Sequence, residues 1–404
     1  LMFSFAWALS ETKLVASDGS AGDEFGIALA LDTDTVAVGA IWVDDIASSS
    51  GAVYVYERTS GGWAQTAKVK HNNPQTSDKL GRAVAIRNGL LAVGDYRLDG
   101  VGFDSGGLFI FEKSGNTWQQ THLCIPADNA PYDAIGRSLA MDGDLIVVGG
   151  FPDDLGLDAG GAYVYERSGS DWIERQKLLP SDGAAEDYFA QHLAISGTTI
   201  VIGSFLNDAT GGVNSGAAYV YERTGAGATW VQTAKLEASD AAPDDRFGEW
   251  VAIQDGLIAV GAFLDDGPAG IDTGSVYLFE KVGGIWTQTA KLTASDAKES
   301  DYFGMSVSID GGLMVIGAMG CDDGALDGGA AYLFRRASDG VWRQAAKIVP
   351  SDANPNARFG NATAILGNLI AIGAEWDNQN GAHSGAVYLY EIPTASAPSW
   401  ILYE

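Results

Sequence analysis

The chain has 404 residues, 46% of them hydrophobic, and carries 52 acidic against 24 basic side chains, a formal net charge of −28. Such a surface repels nucleic acid and anionic membrane and favours cations or basic partners, and no apolar run is long enough to form a membrane span. The length alone suggests two or three domains, but a fixed internal repeat argues for one closed assembly over 1–404.

The apolar start LMFSFAWAL is too short for a span and could be mistaken for the remnant of a signal peptide. Its Trp7, however, stands 56 residues before Trp63, so the stretch reads as a strand of the repeat, and a start without Met suggests a processed chain or a fragment of something longer. Tryptophan then opens each unit at Trp63, Trp118, Trp172, Trp230, Trp286 and Trp342, and again at Trp400, with intervals of 54 to 58 residues by subtraction. A Phe-Gly step keeps pace at Phe25-Gly26, Leu80-Gly81, Ile135-Gly136, Phe189-Ala190, Phe247-Gly248, Phe303-Gly304 and Phe359-Gly360. A Val-Gly-Ala step follows at Gly39, Gly94, Gly149, Gly203, Gly261, Gly317 and Gly373, then an aromatic pair such as Tyr54/Tyr56 or Tyr388/Tyr390.

Each landmark sits in a short run rich in β-branched and aromatic residues, bounded by Asp, Gly and Ser, which predicts four antiparallel strands per unit. In the first unit these are 25–31, 35–40, 52–57 and 63–69, with the Trp strand outermost. Four-stranded units repeated radially bury both faces of each sheet, so the expected fold is all-β, a seven-bladed β-propeller. Eight Trp strands compete for seven outer positions; Trp7 to Leu14 is expected to close the ring beside Gly385 to Glu391, leaving Ser399 to Tyr403 in a surplus tail over 392–404. Small residues such as Ala30, Ala85 and Ala252 share one place on the inner strand, where blades crowd toward the axis.

The connections between second and third strands, and those leading to each Phe-Gly, are acidic and lie on one face, whereas the third strands end in Glu-Arg or Glu-Lys on the other. The aspartates before each Phe-Gly read as structural turns. In the second-to-third loops, Asp153, Asp154 and Asp158, Asp265, Asp266 and Asp272, and Asp322, Asp323 and Asp327 are candidate ligands for Ca²⁺, a hard cation that takes several oxygens; the competing reading is that they cap their own turns. Calcium is the one cofactor considered.

Trp42 and Trp376 occupy the same loop position in the first and last blades, across the seam from each other. They are candidate anchors for a protein or glycan, with Asp44, Asp45 and Asp377 as polar contacts, or else plugs over their own blades. The residues after each Phe-Gly, among them Arg82, Arg137 and Glu249, are expected at the channel mouth; the two arginines could hold an anion there, though salt links to nearby acids are the favoured use. The histidines His71, His122, His192 and His383 fall in different blades and offer no catalytic cluster. Cys124 and Cys321 lie too far apart round the ring to pair. Asn361-Ala362-Thr363 matches a glycosylation sequon but lies on an inner strand, where it is expected to stay unmodified.

The recurring FG, VGA and GAVYVYE pattern resembles the FG-GAP repeat that builds the seven-bladed propeller of integrin α-subunits, and the resemblance covers essentially the whole chain. The integrin calcium loops lie between first and second strands, where the turns here are too short, so those sites do not transfer. The resemblance implies an extracellular or cell-surface, non-catalytic binding or adhesion propeller whose acidic loop face meets a protein or glycan. The alternative is a structural subunit of a fibre, sheath or surface assembly, with self-association.

Overall fold

The computed structural model describes residues 9–224 and 229–393. They form seven four-stranded antiparallel sheets and no helix. Six sheets run in chain order from inner to outer strand, as in Ala28–Asp32, Thr35–Ala40, Ala52–Thr59 and Gly62–Val69 of blade one. In the seventh, the N-terminal strand Ser10–Leu14 takes the outer place beside Ala386–Glu391, with Lys13 opposite Tyr388 and Leu14 opposite Val387. This is the expected closure; Trp7, Trp400 and the surplus segment Ser399 to Tyr403 lie outside the described residues. The ring is continuous, since Thr363–Leu366 packs against inner strands of both blade six and blade one.

The strand chemistry follows from position in the blade. Third strands such as Ala52–Thr59 bury their first five residues in succession, because neighbouring blades cover both faces of the sheet. Outer strands alternate instead, and Ile285–Leu292 exposes every second side chain until Leu292. A bulge falls at the same place in six outer strands, for example between Leu278 and Phe279, adding twist where the blade has most room.

The core lies between blades. One cluster joins Phe25, Tyr54 and Tyr56 of blade one to Leu369, Val387 and Leu389 of blade seven. Phe25 meets Tyr54 edge to face at 5.5 Å, and Phe189, Phe247, Phe303 and Phe359 repeat the contact. The Phe-Gly step, expected to begin the inner strand, does so only in blades four and six. In six blades, blade four included, it clips onto the preceding blade through a parallel bridge, such as Phe25 to Gly385 or Phe189 to Gly160. Its glycine is sterically required: Gly26 has a φ of 101°, and a Cβ there would lie 2.6 Å from the Ala386 carbonyl oxygen.

Candidate functional site

On the loop face, each second-to-third connection is clasped to the segment that enters the next blade. Ser300, Tyr302 and Phe303 donate their backbone N–H groups to the carbonyls of Ile271, Asp272 and Thr273 at 3.0, 3.2 and 3.1 Å. Asn356, Arg358 and Phe359 repeat the ladder onto Leu326, Asp327 and Gly328. Two residues per clasp take left-handed backbone, as at Ser300 (φ 61°) and Tyr302 (φ 58°). The residue before each Phe-Gly does so in all seven blades, through Glu24, Lys79, Ala134, Tyr188, Arg246, Tyr302 and Arg358. Strain repeated in every blade belongs to the fold rather than to one site.

Within this frame the loop aspartates have specific partners. Asp153, Asp266 and Asp322 accept the backbone N–H of Asp158, Asp272 and Asp327 at 2.8, 2.9 and 2.9 Å. The adjacent Asp154, Asp265 and Asp323 take lysine ammonium groups from the outer strand, at Lys177, Lys291 and Lys347. Each of these lysines also pairs with the aspartate of the loop entering its blade, Asp128, Asp240 or Asp296, at 2.7 to 2.8 Å. The same lysine caps a tyrosine ring of the third strand, with Lys291 Nζ 5.1 Å from the centre of Tyr277. Lys347 and Lys298 together hold the Asp323 carboxyl down at about 2. Six of the nine candidate calcium ligands are thus engaged in turn caps or ammonium pairs, while Asp158, Asp272 and Asp327 enter the caps through their backbone N–H alone. The His/Cys/Asp/Glu group whose ligand atoms converge among the described residues lies elsewhere, at His71, Asp78 and Asp95.

A second ring of aspartates is buried beneath the clasps. Asp245 accepts the Ala242 N–H at 2.7 Å, and Asp23, Asp133, Asp187 and Asp301 cap their turns in the same way. Burial pushes Asp245 up to about 6, with the Asp265 charge adding to the shift. The sequence reading of these residues as turn formers matches this geometry.

Trp42 and Trp376 lie on the two sides of the seam, joined through Glu24 and His383. Trp42 Nε1 donates to Glu24 Oε2 at 2.9 Å, the Glu24 N–H donates to the His383 carbonyl at 3.1 Å, and the His383 ring stacks on Trp376 at 4.7 Å. Both indoles already carry cations of this chain: Lys79 Nζ stands 2.9 Å from the Trp42 ring centre and the Arg358 guanidinium 3.3 Å from that of Trp376. Burial lowers Lys79 to about 8, and its ammonium has no hydrogen-bond partner. Trp42 remains 41% exposed, whereas Trp376 is half-buried. Asp44 is exposed and caps Ser49 at 2.6 Å, and Asp45 pairs with Lys70 at 2.6 Å. Asp377 is fully buried and bound by Lys13, Asn354 and Tyr388 at 2.9 to 3.0 Å, so it braces its loop instead of facing outward.

The expected channel residues do line the central cavity, which has a volume of about 370 Å³ and includes Ile27, Arg82, Arg137, Gln191, Glu249, Met305 and Asn361. Salt links to the two arginines do not form: Arg137 donates to Gln191 Oε1 at 3.3 Å and lies over Tyr96 and Phe151, and no carboxylate is within ion-pair distance of either guanidinium among the described residues. Burial and the Arg82 charge bring Arg137 down to about 10. His192 stacks on Trp250 at 3.9 Å, and burial drops its pKa to about 3, so it stays neutral.

The feature that the sequence reading missed lies at the loop tips. Phe103, Leu157, Val213, Ile271 and Leu326 occupy one position in five consecutive blades, and each is 54 to 64% exposed. Their fixed place just before the left-handed Asp104, Asp158, Asn214, Asp272 and Asp327 was visible as a periodic signal. Tyr132, 66% exposed, extends the ring by packing at a tilt on Phe103, with ring centres 5.6 Å apart.

A family model described as the FG-GAP repeat matches the chain seven times, over 9–56, 63–111, 118–165, 172–221, 230–279, 286–334 and 342–390. No curated protein matches the chain significantly.

Proposed function

Because the chain belongs to the FG-GAP repeat family, whose propellers are commonly binding modules, we propose that it is an extracellular, non-catalytic recognition propeller that docks a basic protein surface on its loop face. The carrying observation is the ring of exposed apolar side chains, Phe103, Leu157, Val213, Ile271 and Leu326, at one loop position of five adjacent blades. Burying one such side chain contributes about 1.5–3 kcal/mol, so five in one patch supply the core of an interface.

Acids that make no ion pair surround that ring. Asp99, Asp153, Asp208, Asp266 and Asp322 stand exposed at the bases of the same loops, and Glu186, Asp244 and Glu299 are exposed on the adjoining segments. A partner with apolar contacts and a basic rim complements this surface and is steered toward it. Two copies of the face would bring like charge onto like charge, which disfavours the fibre or sheath alternative at this surface. Trp42 adds one further exposed aromatic at the edge, while Trp376, with cations or rings against it, acts in packing.

The test is binding to an array of extracellular proteins and glycans with the native chain and with a variant carrying serine at 103, 157, 213, 271 and 326. Capture of a basic protein by the native chain alone supports the reading. Glycan capture by both proteins, or concentration-dependent assembly of the native chain without a partner, would replace it.

A further inference from the structure

Blade two departs from the other six in a correlated way. Six outer strands carry a lysine, Lys13, Lys68, Lys177, Lys235, Lys291 or Lys347, facing a third-strand tyrosine. Blade two pairs Leu123 with Phe109 in that place. The ammonium is therefore missing together with the acids it pairs with in blade one, since Asn73 and Gly100 stand in the places of Asp18 and Asp45, yet the buried Asp78 of the clasp is retained.

Two further substitutions fall around that gap. His71 stands where other blades have Ala16, Pro126, Pro180, Ala238, Ala294 and Pro350, and Asp95 where they have Ala40, Gly150, Ser204, Ala262, Ala318 and Ala374. The His71 ring packs at 4.9 Å on Phe109, the residue in the tyrosine position. Its Nε2 lies 2.9 Å from Asp78 Oδ2 and 4.0 Å from Asp95 Oδ2, with side-chain exposures of 3%, 1% and 0%. The three ligand atoms all fall within 4.8 Å of one another. Asp95 Oδ2 is a buried polar atom with no hydrogen bond, and His71 Nε2, which makes none of good geometry, has only the Asp78 oxygen beside it, an oxygen that already accepts the Gln75 N–H.

We propose that His71, Asp78 and Asp95 bind a first-row divalent cation of the zinc type, which supplies in blade two the positive charge that lysine supplies in the others. One imidazole nitrogen with two carboxylate oxygens is a donor set for zinc and its neighbours rather than for calcium or magnesium, which prefer oxygen alone. Two buried carboxylates and a neutral imidazole carry two negative charges, which a divalent ion cancels. Of the three, His71 also borders a surface cavity of about 410 Å³, together with Lys70, Asn72 and Gln120. Metal binding at this place would tie the inner half of blade two to the loop that enters it.

The test measures zinc retention by equilibrium dialysis followed by elemental analysis, with cobalt(II) absorption as a second readout. The native chain is expected to hold one equivalent, to melt several degrees higher with zinc, and to give the visible bands of cobalt in low coordination. His71→Ala with Asp95→Ala installs the pair that blades one, five and six already carry, so it should fold, bind no zinc and lose the shift. Leu123→Lys, which restores the ammonium, should weaken zinc at least tenfold without removing a ligand. Zinc retention that is equal in native chain and double variant would overturn the proposal. So would a native chain that retains no zinc and shows His71 as an imidazolium by nitrogen NMR, since the proton would then be the blade's cation.

Discussion

The two faces of the disc use charge in opposite ways. On the turn face, six of the seven third strands end in a base that reaches the glutamate of the preceding blade: Arg58 to Glu391, Lys113 to Glu57, Arg167 to Glu112, Arg223 to Glu166, Lys281 to Glu222 and Arg336 to Glu280, at 2.6 to 3.1 Å. The circle opens only between blades six and seven, where Arg335 and Ile392 replace the pair. That face is electrically closed on itself. On the loop face, one set of acids is taken up by lysines, while the acids that cap the second-to-third loops, Asp266 among them, stay exposed beside the apolar tips with no cation against them among the described residues. The same repeat therefore encodes a self-satisfied surface and an unsatisfied one, and only the second leaves something for a partner to do.

The largest effect comes from breaking the buried side of the loop face. Asp377→Ala removes the buried carboxylate that Lys13, Asn354 and Tyr388 share and leaves them to Asp352, and should cost about 2–3 kcal/mol in urea unfolding. A cost below about 1 kcal/mol would mean that this network does not brace the loop.

The buried capping ring predicts an unusual response to acid. Asp245 is raised in the fold to about 6 from an ordinary 3.8, so its contribution is fully present below 3.8 and is lost as pH rises through 6. Acidifying from pH 7 to 4 should then stabilise the native chain relative to Asp245→Asn by about 2 kcal/mol. Parallel melting curves for the two proteins across that range would contradict the assignment.

Lys79 offers a smaller test with a similar logic. Its lowered value, about 8, means that the fold disfavours the charged ammonium, and Lys79→Met should raise stability at pH 7 by about 1 kcal/mol. The advantage should shrink as pH climbs from 8 toward 10.5, where the folded native chain has shed the proton and the unfolded chain has not. A constant gain would place the effect in packing on Trp42 instead.

The turn face should respond least. Arg58→Ala removes two exposed pairs, to Glu391 and Asp34, and the guanidinium over Trp63, and is expected to change stability by no more than about 1 kcal/mol, the ion-pair share of which salt erases. Calcium sharpens the same contrast: in the His71→Ala, Asp95→Ala background, millimolar CaCl₂ should leave the melting temperature unchanged if capping and lysines already satisfy the loop acids. A rise would restore calcium to Asp153, Asp266, Asp322 and their neighbours.

The ring itself was legible because its landmarks are local and periodic. Trp63, the Phe25-Gly26 step, Gly39 and Tyr54 each mark one strand or turn, and seven copies fixed both the blade count and the closing role of Ser10–Leu14. What sequence alone could not supply were contacts between blades. The Phe-Gly step looks like strand but serves as a clip, because its partner Gly385 lies at the far end of the chain. The cations over Trp42 and Trp376 come from Lys79 and Arg358, residues set by the left-handed position before the next landmark or their own blade's. Asp377 looks like its exposed neighbours in composition, yet Lys13 reaches it only once the ring has closed. The apolar tips could have been read, since Leu157, Val213, Ile271 and Leu326 keep register with the repeat.

The most direct measurement sets the two faces against each other in one binding experiment. A variant with serine at 103, 157, 213, 271 and 326 and another with alanine at 58, 113 and 223 are compared with the native chain for melting temperature and for capture of basic proteins from an extracellular protein array. The exposed tips bear no load in the fold, so the loop-face variant should melt within about 1 °C of the native chain and lose capture by at least tenfold, while the turn-face variant keeps both. Capture that survives the serine variant and fails in the turn-face variant would contradict the account.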